Sequence, residues 1–254
     1  MNKKVSILFT ICFLYFNLFL LPAFSTDKDY SQAAGHTGAY INVENVYALK
    51  CRIKTHDHTK NNNKLGWYTA WPMIVDYKTN KFVQIGYITS PAEKIEKPIF
   101  YVAWSDNGTQ INIKYLPNKE AQGNALLPND DHEYAMSLNS DGTVNIQIDG
   151  IKYLDSEDEM INVGITQGTG EFFSEGSNLN MDITTKFSKC SYKLRGDSNW
   201  KNMDDTKSIL LYYKADGTSI ESDEENSIII KGKIKNINKG KFFKELKKLK
   251  KNKL

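Results

Sequence analysis

Few residues in this chain can do chemistry, and their types narrow the field. There are only four histidines: His36, His56, His58 and His132. In His56-Asp57-His58 the imidazoles stand at i and i+2, one face of a strand, a spacing that can hold a metal ion. The pair runs into the Asn-rich segment His58–Lys64, however, so a solvated surface pair is expected and no metal site is assigned. His132 lies in the charged turn Asp130-Asp131-His132-Glu133 and is expected to face solvent. The sequence has no G-x-S-x-G elbow, no Walker phosphate loop and no H-E-x-x-H helix motif. Nothing in it calls for a cofactor. Cys12 belongs to the apolar N-terminal run, which leaves Cys51 and Cys190. They form no C-x-x-C, and in an oxidising compartment two such cysteines can pair. Both fall in strand-like runs, one near each end of the predicted domain. First and last strands often lie side by side in a sandwich, so a disulfide is expected, with two buried free thiols as the alternative.

The richest stretch runs from Gly66 to Trp104. It reads Gly66-Trp67-Tyr68-Thr69-Ala70-Trp71-Pro72, then Phe82-Val83-Gln84-Ile85-Gly86-Tyr87, then Phe100-Tyr101-Val102-Ala103-Trp104. It resembles the eqolisin/neprosin group of secreted glutamic peptidases, with a Q-x-G strand followed by an aromatic Y-x-A-W strand. The turn Asp131-His132-Glu133-Tyr134 and the later segment Thr169-Gly170-Glu171 extend the likeness over roughly residues 38–194. The resemblance implies a catalytic pair, Gln84 with Glu171, and Glu175 as the alternative carboxylate. A carboxylate facing an amide on one concave sheet holds a water between them. The carboxylate acts as general base, and the amide N–H stabilises the oxyanion that forms. An acidic optimum follows if the glutamic acid must then protonate the leaving amine. The pattern is incomplete: the fungal-type W-Y-E-W glutamate is missing at Ala103-Trp104-Ser105-Asp106, and neprosin-type members carry Glu where Gln84 stands. Trp67, Trp71 and Trp104 are the candidate substrate-binding side chains, for a polypeptide or by stacking on a polysaccharide. The bland alternatives are a core role for the tryptophans, a solvent-facing Gln84, and a Glu171 solvated in a Gly-rich loop.

These residues must be positioned by strands. Val144, Ile146 and Ile148 alternate with polar residues, and Asn139-Ser140-Asp141-Gly142 before them is a hairpin turn, with Ala135–Leu138 as its partner. Ile111, Ile113 and Tyr115 alternate after the turn Asp106-Asn107-Gly108. Further strands are expected at about 39–54, 65–75, 81–89, 98–105, 159–166, 184–194, 207–214 and 226–234. Many short strands and almost no helical periodicity predict an all-β fold, an antiparallel β-sandwich of concanavalin-like or jelly-roll type. The expected domain spans 38–195, and residues 196–230 are expected to add an appended hairpin.

The two ends differ from this body. Met1-Asn2-Lys3-Lys4, the apolar run Val5–Phe24 and the small residues Ala23 and Ser25 form a secretory signal pattern over 1–25, with cleavage expected near Ser25/Thr26. A polar leader, 26–37, follows. At the other end, residues 231–254 hold eleven Lys against one Glu, a net +10, so the rest of the chain carries −7 within a total of +3. Phe242, Leu246 and Leu249 recur at i, i+4, i+7 among those lysines, an amphipathic pattern with a basic surround. The expected protein is therefore secreted, an acidic sandwich with a cationic C-terminal tail. The tail's natural contact is an anionic membrane or cell-wall polymer rather than a specific nucleic acid.

Overall fold

The computed structural model describes residues 35–41, 43–60, 67–90, 94–118, 125–154, 160–177, 180–202, 210–222 and 227–236. The expected signal peptide, most of the leader, the Asn61–Asn63 run and residues 237–254 lie outside the described residues.

Two antiparallel sheets face each other, the sandwich expected from the turn-punctuated strand pattern. The first runs β13 (Leu210–Tyr213), β1 (Gly35–Ile41), β10 (Thr169–Gly176), β3 (Tyr68–Asp76), β4 (Lys81–Ser90), β5 (Ile95–Ser105), β6 (Asn112–Leu116). The second runs β14 (Asp216–Ser222), β15 (Ile228–Asn236), β11 (Thr185–Leu194), β2 (Val46–Lys54), β7 (Asp131–Leu138), β8 (Val144–Ile148), β9 (Ile151–Tyr153), with β12 (Lys201–Asn202) paired to β11. The run 39–54 is two strands rather than one. Asn45, at φ 68°, bends the chain so that β1 stays in the first sheet and β2 enters the second. The expected turn at 139–142 is present: the Asp141 carboxylate accepts the Thr143 N–H at 2.9 Å, and Gly142 takes φ 86°.

Ile41, Leu49, Ile74, Val83, Phe172 and Phe187 belong to the large cluster between the sheets. Each such buried side chain contributes roughly 1.5–3 kcal/mol. A second, smaller cluster (Tyr40, Trp71, Met73, Val75, Phe82, Tyr101, Phe173) occupies the other face of the first sheet. Because both faces are covered, β3 and β10 are buried along almost their whole length and show no polar alternation. Cys51 in β2 and Cys190 in β11 form the disulfide, closing a sequence separation of 139 between adjacent strands. A loop of that length stabilises by about 5 kcal/mol in the chain-entropy model.

Several expectations need correction. Residues 35–37 are the start of β1, not leader. The strands after residue 196 are not an appendage: β13 pairs with β1, and the β14–β15 hairpin continues the second sheet from β11. Residues 231–236 complete β15, so the basic segment begins inside the sandwich. The 159–166 segment makes only an isolated bridge, Asn162 to Thr143. His56 is buried (3 % exposed), its Nδ1 3.0 Å from the Thr184 carbonyl and its ring against Tyr68. His132 is held inward by Asp149, 2.6 Å from its Nδ1, and by the edge of Phe100.

Candidate active site

Strand register brings the sequence-predicted pair together. On the outer face of the first sheet one row runs Tyr40, Glu171, Met73, Gln84, Ala103, Ile113, each opposite the next. Residues directly opposite in neighbouring strands project to the same face, so Glu171 and Gln84 share it with only Met73 between. Two strand spacings separate their backbones by about 10 Å, with the buried Met73 side chain on the strand between them. Gly38, Phe173 and Trp71 are consecutive partners in the next row, and across β4 Gly86 lies opposite Tyr101. A third holds His36, Glu175, Thr69 and Ile88.

Glu171 stands in a buried strand rather than a solvated loop. It is 2 % exposed and accepts a hydrogen bond from the Tyr77 hydroxyl, which the β3–β4 turn places over it. Burial pushes its carboxyl up to about 8, because an ion without water is disfavoured against its neutral form. Glu175 is raised well above the carboxylate range, first by burial and then by the charge of Glu171. The His36 Nδ1 lies 4.0 Å away, and burial lowers that imidazole to about 4, so it is neutral above that pH. The site is therefore a buried acidic pair in a low-dielectric setting.

Gln84 is buried as well, at 6 % exposed. Its Nε2 donates to the Tyr101 hydroxyl at 2.7 Å, and its Oε1 has no partner among the described residues. Tyr101 comes from β5 yet lies 2.9 Å from Thr69 Oγ1 on β3, so its ring crosses over β4. The β4 residue opposite it is Gly86, which has no side chain to obstruct the crossing. A Cβ at Gly86 would also sit 2.0 Å from the Ala70 carbonyl oxygen, so β3 and β4 approach closely only with glycine there.

The three tryptophans separate. Trp71 lies on the site face, stacked on Phe173 at 6.3 Å, with an indole N–H that has no partner among the described residues. Trp67 is buried just before β3, its backbone N–H on Ser177. Trp104 packs against the inter-sheet core, on the opposite face from its neighbour Ala103. It is not part of the site, because adjacent strand residues point to opposite faces. Sequence reasoning missed Thr69, Tyr77 and Tyr101. The one available signal was parity: Tyr101 shares a face with Ala103, but only the register shows that Ala103 opposes Gln84. Among the described residues no group of three or more His, Cys, Asp or Glu could hold a metal ion.

No protein family matches the chain at the level of sequence, and no curated protein does. Solved structures do. Scytalido-glutamic peptidase, solved with a transition state analog inhibitor, aligns with a TM-score of 0.51 at 11 % identity, covering 78 % of this chain and 98 % of that one. SCP-B, a member of the Eqolisin family solved with the tripeptide Ala-Ile-His, aligns at 0.47 and 12 %, with the same 78 % and 98 % coverage. A glycoside hydrolase family 16 protein from Bacteroides ovatus, solved with a glucan product, gives 0.33 at 9 % identity and 80 % coverage of each chain. At such identities the likeness is one of fold: the chain is a β-sandwich of glutamic-peptidase-like architecture.

Proposed function

We propose that this chain is a secreted endopeptidase that activates water between Glu171 and Gln84. The observation that carries the reading is their shared row: two residues 87 positions apart in sequence come to one buried face with a single side chain between them. Ionised Glu171 takes a proton from a water whose other hydrogen is accepted by Gln84 Oε1. As the water oxygen adds to the scissile carbonyl, the amide N–H not given to Tyr101 stabilises the oxyanion. Glu171 then passes its proton to the leaving amine. A carboxyl with a pKa of about 8 is a strong base but is rarely ionised in acid. The rate of the first step therefore rises with pH towards 8, and the optimum moves closer to neutral than the sequence alone implied.

The test is proteolysis of denatured protein substrates by the mature chain across pH 3–8. Glu171→Gln should lower kcat/KM on the order of 10³-fold or more, and Gln84→Ala on the order of 10²-fold. Full activity in Glu171→Gln rules the pair out.

A second reading, binding of a polypeptide or polysaccharide without turnover, has its own support in the Trp71–Phe173 stack beside the acidic pair. In that case Glu171→Gln leaves binding to immobilised polymer intact, and the wild type releases no peptides. The disulfide and the signal pattern support an extracellular location. The basic tail adds a proposed contact with an anionic surface, about 1 kcal/mol per lysine close to it. Truncation after Asn236, which keeps β15 whole, should abolish salt-sensitive binding to anionic vesicles. Equal binding by both forms removes the tail from the account.

A further inference from the structure

The proton inventory around Gln84 fixes more than its position. Thr69 Oγ1 lies 2.8 Å from the Tyr87 carbonyl oxygen and 2.9 Å from the Tyr101 hydroxyl oxygen. The carbonyl has no hydrogen to give, and the threonine hydroxyl has one. That hydrogen goes to the carbonyl, so the proton between Thr69 and Tyr101 is the phenol's. With its own hydrogen committed to Thr69, the Tyr101 oxygen can only accept from the amide. Gln84 must present Nε2 to it, as found at 2.7 Å. The chain of donors is directional: Gln84 N–H to Tyr101, Tyr101 O–H to Thr69, Thr69 O–H to the backbone of Tyr87. Thr69, Gln84 and Tyr101 are all buried, so no solvent exchange scrambles the order.

An isolated glutamine amide can turn over and exchange its oxygen for its nitrogen at little cost. We infer that Tyr101 and Thr69 are positioning residues that lock the Gln84 amide with Oε1 directed away from Tyr101, so that the site always offers one acceptor and one N–H. The inference rests on the proposed role of Gln84 in activating water, where the acceptor holds the nucleophile. Burial of an acceptor without a partner is unfavourable. A locked amide that keeps such an acceptor is prepared for a hydrogen supplied by water or substrate.

Thr69→Val removes the acceptor for the phenol. Tyr101 then donates to Gln84 Oε1, and the amide turns so that two N–H groups and no acceptor are left for the site. Tyr101→Phe releases the lock without imposing the opposite orientation. Thr69→Ser restores it.

The experiment uses the full mature chain carrying ¹⁵N-labelled glutamine, with the Gln84 side-chain signals assigned by their loss in Gln84→Met. In the wild type one Gln84 amide hydrogen should be shifted and slow to exchange with deuterium. Both Thr69→Val and Tyr101→Phe should move that signal, and Thr69→Ser should return it. Alongside, kcat should fall on the order of 10²-fold in Thr69→Val with KM within about twofold, and recover in Thr69→Ser. Unchanged amide signals in both variants overturn the relay whatever the activity. Moved signals with unchanged kcat overturn the positioning role. If the wild type cleaves no substrate while the signals still move, the peptidase reading fails and the locked amide stands.

Discussion

The first sheet carries a buried polar network on each face, and the two are finished differently. On the face towards the core, the Tyr68 and Tyr87 hydroxyls lie 3.0 Å apart, and Tyr87 accepts the His56 backbone N–H at 2.9 Å. Ser174 Oγ donates to the Ile183 carbonyl at 2.8 Å, and Thr185 Oγ1 to that of Lys54 at 2.8 Å. Each of these hydroxyls has a partner, and the network ties β3, β4 and β10 to β2 and β11. On the outer face Gln84 Oε1 and Trp71 Nε1 have none among the described residues, and two carboxyl groups are buried, Glu171 accepting from the Tyr77 hydroxyl and Glu175 lying 4.0 Å from the His36 imidazole. A closed network stabilises and specifies the fold. An open one is unfavourable until a ligand completes it. The same sheet is thus a structural element on one side and a candidate site on the other.

Substitutions on the two faces should give opposite phenotypes. The largest effect is the loss of on the order of 10³-fold in kcat/KM for Glu171→Gln, with thermal stability held or raised because a buried acid is replaced by a neutral isostere. Its inner-face counterpart is Tyr87→Phe. Removing that hydroxyl strands the His56 N–H and should cost about 1–3 kcal/mol in urea unfolding, while activity stays within about twofold. If Tyr87→Phe lost activity as steeply as Glu171→Gln, the faces would not be functionally distinct.

The faces also titrate differently. The folded Glu171 carboxyl, at about 8 against an ordinary 4.5, binds its proton more tightly than the unfolded chain does. Its contribution to stability is full below pH 4.5 and is lost as pH rises through 8, on the order of a few kcal/mol. His36, lowered to about 4 from 6.5, runs the other way: its contribution is present above 6.5 and lost as pH falls through 4. The buried Tyr87 hydroxyl of the inner network, pushed up to about 12, does not titrate in this window. Denaturation midpoints between pH 6.5 and 8, above the range in which His36 opposes the trend, should therefore fall in the wild type and fall less steeply in Glu171→Gln, where the raised Glu175 carboxyl still titrates. A parallel fall in both would place the pH dependence elsewhere.

Much of the inner face was legible in the sequence, and half of the outer one. Val144, Ile146 and Ile148 showed their strand by alternation because one side of β8 is polar. β10 was hidden for the converse reason. Thr169–Gly176 is buried on both faces, so its Glu, Ser and Gly residues read as a loop. The Gln84–Glu171 pair came from motif resemblance, since composition carries no register. Trp104 was misplaced because a cluster of aromatic residues in sequence says nothing about which face each one takes. Thr69 and Tyr101 were out of reach altogether: their link to Gln84 runs across three strands and depends on Gly86 being bare.

The smallest expected effect is also the sharpest on the outer face. Trp71 presents an indole N–H that is buried and has no partner among the described residues, whereas buried indoles ordinarily find an acceptor. Trp71→Phe keeps an aromatic ring against Phe173 and removes only the donor and part of the ring. If the N–H served the fold, the variant would lose the roughly 1 kcal/mol of a typical hydrogen bond. Because it has no partner among the described residues, its loss should leave that term untouched, and the remaining change should be the modest packing cost of a smaller ring. A substrate carbonyl that accepts from Trp71 makes the same bond in the ground state and in the transition state. Losing it should therefore raise KM by about 5–10-fold, the equivalent of one neutral hydrogen bond, and leave kcat nearly unchanged. Steady-state kinetics with a single peptide substrate separate the two parameters. A fall in kcat with constant KM would place Trp71 with Gln84 in the chemical step, and no change in either would return it to the apolar wall.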